Sequence, residues 1–196
     1  MNFPKTLAVP LLCAVLQGPL PRCLYAQGST DLPQLFKEFQ ELGTTDAATK
    51  KLLHLGKSDT QARKYLAQHL PEVIENRTDL QVWANAVEVA GQLKIAEALP
   101  ALAKWIDRSG GGTITLSGMM QLRNDPAARA LVAIGNPSVP TLAAVLRTGN
   151  LHERQTGAIA LHLIGTPAAR RALRDHAKVE TDPNLRDFIL RALISR

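Results

Sequence analysis

Aromatic side chains make up only 4% of this chain, and cysteine is scarcer still. The two cysteines, Cys13 and Cys23, both fall within residues 1–26. If that segment is removed, what remains has no disulfide framework, no thiolate metal site and no cysteine nucleophile. No long alternating stretch of Val and Ile is present, so nothing beyond a short TITL at Thr113–Leu116 reads as extended. Also missing is a run of roughly 20 apolar residues, the length a membrane-spanning helix needs. What the chain has instead is alanine and leucine, which lose little side-chain freedom in a helix. With 45% apolar and 20% charged residues, its 196 residues are enough for one all-α domain with a sizeable core.

Residues 1–26 have the form of a secretory signal peptide. Lys5 supplies a positive start, and Thr6–Leu16 is the apolar run TLAVPLLCAVL. Gly18, Pro19 and Pro21 interrupt it, and Tyr25-Ala26 offers a small residue at a cleavage point before Gln27. A buried N-terminal helix is the competing reading, and Pro10, Pro19 and Pro21 argue against it. Leu20 stands three before Cys23, as in a lipid-attachment signal, but Pro21 and Arg22 sit where small residues are expected. The expected location is the bacterial periplasm or the medium, where a chain without thiols escapes oxidation. Losing Lys5 and Arg22 would lower the formal charge from +6 to +4, a value that suits ordinary solubility.

The remainder, residues 27–196, is organised by internal repetition. Three segments, WANAVEVAG, AARALVAIG and GAIALHLIG, run up to Gly91, Gly135 and Gly165, each read as closing an apolar helix. Asn136-Pro137 and Thr166-Pro167 then pair a capping residue with a proline at the first helical position. Gly135 and Gly165 are 30 residues apart; Gly91 and Gly135 are 44 apart, and the surplus lies in a glycine-rich insertion at 109–124. Small residues at Ala86, Ala130, Gly157 and Ala160 suit closely packed helices. The periodicity predicts helices at 33–42, 46–55, 59–76, 79–92, 94–107, 125–135, 137–147, 151–165, 167–178 and 183–195. Asp31, Asp46, Ser58, Asp79, Asp125 and Asp182 read as caps or first-turn acids. Such hairpins bury their apolar faces only by stacking on their neighbours.

With Arg154, Gly157, Leu161, Ile164, Gly165 and Pro167 in place, RQTGAIALHLIGTPAARRAL resembles the short bacterial HEAT-like repeat, a type also found in phycobilisome lyases. The likeness is close over 125–178, weaker over 59–108 and partial over 183–195. It implies a short right-handed α-solenoid of HEAT-like helical hairpins acting as a scaffold or docking surface, with no catalytic residue and no cofactor.

The residues themselves point the same way. His54, His69, His152, His162 and His176 lack the spacing of a zinc-protease helix, because His152-Glu153 has no second histidine four residues on. Ser109-Gly110 and Ser117-Gly118 lack the small-residue frame of a nucleophile elbow. Gly110–Gly112 is not followed by the lysine and hydroxyl of a phosphate cradle. Trp83 and Trp105 read as core or seam anchors. The second helices of the hairpins carry Lys94, Lys104, Arg108, Arg147, Arg170, Arg171, Arg174 and Lys178. Arg170, Arg174 and Lys178 are four apart and form one stripe, which with Arg147 and Arg171 is the candidate partner-binding surface. The expected function is non-catalytic binding of an unidentified protein partner in the cell envelope. A lyase-like or other cofactor-handling enzyme, with its site under the 109–124 loop, is the alternative. Nucleic acid fits least with an export signal and a small charge, and a membrane surface is not the predicted partner.

Overall fold

The computed structural model describes residues 31–107, Leu122 and residues 125–194. The signal-peptide segment, with Cys13 and Cys23, and all of the 109–124 insertion except Leu122 lie outside the described residues, as does Arg108. Ten α-helices account for most of what is described: α1 (Leu32–Gln40), α2 (Thr45–Ser58), α3 (Thr60–Asn76), α4 (Leu80–Gln92), α5 (Leu99–Lys104), α6 (Pro126–Ile134), α7 (Val139–Thr148), α8 (Leu151–Ile164), α9 (Pro167–Ala177) and α10 (Pro183–Ile194). No strand occurs among the described residues, and none of their helices is by itself long and apolar enough to cross a membrane.

Side-chain caps start most of these helices by satisfying amide groups that have no partner in the first turn. Asp31 accepts from Gln34 N–H, Asp79 from Gln81 and Val82 N–H, Asp125 from Ala128 N–H, and Asp182 from Leu185 N–H. Asn150 and Glu153 form a reciprocal capping box at α8. Ser58 is not a cap. It is still helical at the end of α2 and its hydroxyl donates to His54 C=O at 3.0 Å. Asp59, one residue on, has the extended backbone a cap needs and accepts from Gln61 and Ala62 N–H.

The glycines divide into two kinds. Gly135 and Gly165 close α6 and α8 with φ of 84° and 64°, the left-handed region that glycine enters freely. Gly91, expected to do the same for α4, lies inside that helix. A Cβ placed on it would sit 3.0 Å from Ala130 Cα, so glycine is there to let α4 lie against α6. The left-handed residue after α4 is Lys94, at φ 52°. The helices expected over 94–107 and 137–147 are also shorter. Each is preceded by a 3-10 turn, Ala96–Ala98 or Asn136–Ser138, and starts at Leu99-Pro100 or Val139-Pro140. The two turns stand 40 residues apart, so Ile106 of the first corresponds to Leu146 of the second.

Substantial packing among the described helices joins each to its successor or to the next but one. α2, α4, α6, α8 and α10 form one series of neighbours; α3, α5, α7 and α9 form another. The layer between them holds the core, including Leu66, Leu70, Leu102, Leu131, Leu142, Leu146 and Leu161, all essentially inaccessible. Asn85 ties α4 to α2 through Thr45 Oγ1 (3.1 Å) and Asp46 Oδ1 (2.9 Å). Trp83 and Trp105 meet edge to face at 6.3 Å, and the Arg77 guanidinium lies 4.7 Å from each ring, fastening the turn between α3 and α4 to the core.

Candidate partner-binding groove

The corners that hold α7 and α9 side by side come from their capping residues. Ser138 is buried and its hydroxyl donates to Leu131 C=O at 2.7 Å, fixing the bend between α6 and α7. Thr166 caps α9 through Ala169 N–H and also donates to Asn136 Oδ1 at 2.9 Å, joining the equivalent corners of successive hairpins. Between the two helices runs a groove of about 350 Å³. Ala143, Ala168 and Ala172 keep it open, Leu146 and His176 lie in its floor, and Arg147, Arg171 and Asp175 stand on its rim. Val179 completes it, 68% exposed.

Of the predicted stripe, the groove brings together Arg147 and Arg171, both exposed. Arg170, Arg174 and Lys178 do not line it. At 100° per residue, Arg171 and Asp175 turn with Ala168 and Ala172 toward α7, whereas Arg170 and Arg174 turn away. Arg170 is half-buried, and Lys178 is paired with Asp175 at 2.8 Å. That hydrogen bond, with the charges of Lys178, Arg171 and Arg174, holds the Asp175 carboxyl below its usual range. Asp175 thus stays ionised and paired with Lys178, and Arg147 and Arg171 together outnumber it on the rim, which is net positive.

Behind the floor lies a network that the sequence pattern did not suggest. The Glu180 carboxylate is buried. Arg154 grips it bidentately, Nε to Oε2 and Nη2 to Oε1, both at 2.9 Å. Thr181 and Asp182 N–H donate to Oε1 at 2.9 Å, and His176 Nε2 is 2.7 Å from Oε2. Burial alone would raise the Glu180 pKa. The donors from Arg154, Asp182 and His176 outweigh it and lower the value to about 2. The carboxylate is therefore ionised and can only accept, so His176 Nε2 carries the proton. Nδ1 on the opposite edge of the ring is buried without a hydrogen-bond partner. With the 30-residue repeat as the ruler, His176 occupies the place of Leu146 in α7, and the 40-residue spacing of the two 3-10 turns puts Leu146 in the place of Ile106 after α5. That substitution was visible in the sequence. The Glu180 contact was not, because it spans 26 residues and no local period links the two.

The other histidines are scattered. His54 and His152 are exposed, His162 meets Phe188 edge to face at 6.4 Å, and His69 lies tilted against Tyr65 at 4.2 Å. Among the described residues, no three His, Cys, Asp or Glu side chains converge as a metal site would need. His69 also lines a second groove with Phe36, Gln40, Glu72, Asn76 and Thr78. A third lies between α4 and α6, beside Gly91 and Arg129. No family model matches the chain, and a search of curated proteins finds no match either.

Proposed function

We propose that residues 27–196 form a short right-handed α-solenoid of HEAT-like hairpins, exported to the bacterial periplasm or medium. It would act as a non-catalytic module that binds a protein partner. The hairpins are α4/α5, α6/α7 and α8/α9, and their second helices would line the concave side of the array. The packing of α4 on α6 on α8, and of α5 on α7 on α9, supports a stacked array, since stacked repeats bury a continuous core and leave long faces free. The observation that carries the binding role is the groove between α7 and α9. Two exposed arginines stand there over an apolar floor, with a large apolar side chain left in solvent at one end.

The test is affinity capture from envelope extract, comparing the chain with its R147E/R171E/R174E variant. All three arginines are exposed, so the variant should fold. The expected result is a partner held by the parent chain and lost by the variant. Equal recovery by both, or nothing above background, would overturn the reading.

A further inference from the structure

We propose that the α7/α9 groove takes an extended acidic segment of the partner protein. A carboxylate lies between Arg147 and Arg171, and a neighbouring apolar side chain rests on Leu146, Ala172 and Val179. This rests on the protein-binding reading above and narrows it to one groove and one peptide chemistry.

Two observations converge on it. The first is charge. Arg147 and Arg171 are the groove's own cations, Arg174 adds a third nearby on α9, and Asp175, the one acid among the lining residues, is occupied by Lys178. An occupant with carboxylates is complementary to that rim, and one with ammonium groups is repelled. The second is the floor. Alanines at 143, 168 and 172 leave room for a side chain, and Val179 stands 68% exposed where an apolar residue would cover it.

An extended chain alternates its side chains, so an acidic residue beside an apolar one meets rim and floor together.

The experiment measures fluorescence anisotropy of three labelled synthetic peptides on the full chain. One alternates Glu with Leu, the second has Lys in place of Glu, and the third has Ser in place of Leu. Only the first should bind appreciably. R147E/R171E should weaken it by about ten-fold or more, and Val179→Asp, at an exposed site that leaves the fold alone, by several-fold. Arg170→Glu, on the side of α9 turned away from the groove, should change it by less than about three-fold. Binding of the Lys peptide as tight as that of the Glu peptide would overturn the proposal. So would a loss on Arg170→Glu equal to that on R147E/R171E. A chain that captures its partner through Arg147, Arg171 and Arg174 but ignores the Glu-Leu peptide would sink the groove chemistry and leave the interaction role standing. A chain that does neither would sink both.

Discussion

At the scale of single residues, Glu180 shows how a buried charge can be made favourable. A carboxylate out of water is destabilising unless it is paired and hydrogen-bonded, and here Arg154, two backbone amides and His176 do both. Its pKa of about 2 lies below the ordinary 4.5, so the folded state binds fewer protons at this site than the unfolded chain. The stabilisation is complete above about pH 4.5 and is lost as pH falls toward 2. Glu180→Gln should cost on the order of 3 kcal/mol at neutral pH and flatten the acid limb of stability measured by urea unfolding. Asp125 works in the opposite sense. Burial raises its pKa, only partly countered by Ala128 and Asp107 N–H, so its contribution falls as pH rises through the carboxylate range. Lys94 carries strain of another kind, a left-handed φ of 52° on a side-chain-bearing residue. Lys94→Gly should raise stability by about 0.5 kcal/mol, strain relief slightly exceeding the added chain entropy, and a lower melting temperature would contradict that.

At the scale of helices and their contacts, Gly91 is a position where α4 lies close against α6. Gly91→Val should destabilise by roughly 2 kcal/mol, because its side chain meets the Ala130 backbone and the helices must part. A melt unchanged by that substitution would show that the contact yields freely. In α8, Leu161 is fully buried and Ile164 only half so. Leu161→Asp should unfold the domain, since it buries an unpaired charge, whereas Ile164→Asp should leave it folded at lower stability by far-ultraviolet circular dichroism. Much of this was legible in the sequence. Apolar periodicity and the Asp and Thr caps place all ten helices to within a few residues, except where 3-10 turns delay α5 and α7; Asn136, read as a cap, begins one of those turns and caps no helix. Gly91 was misread because a glycine near a helix end has the same local signature whether it turns the chain or admits a neighbour. Only the position of α6 distinguishes the two. Likewise Arg170, Arg174 and Lys178 share a spacing, but it is the placement of α7 that decides that Arg171 faces the groove and they do not.

At the scale of the whole molecule, helices that lean mainly on near neighbours should behave as a chain of coupled units. Hydrogen exchange should then be slowest in α4, α6 and α8 and faster in α1 and α10, which have fewer neighbours; uniform protection across all ten would argue for one indivisible core. The same arrangement leaves the α7/α9 groove free for an occupant. The most direct measurement places a photo-crosslinking side chain at Val179, on the groove, or at Lys51, exposed on α2, in cells that make the protein. Crosslinking to one partner should occur from position 179, be absent from position 51, and be suppressed by the Glu-Leu peptide. Equal crosslinking from both positions, or crosslinking from 179 that the peptide does not suppress, would contradict the assignment of this groove as the docking site.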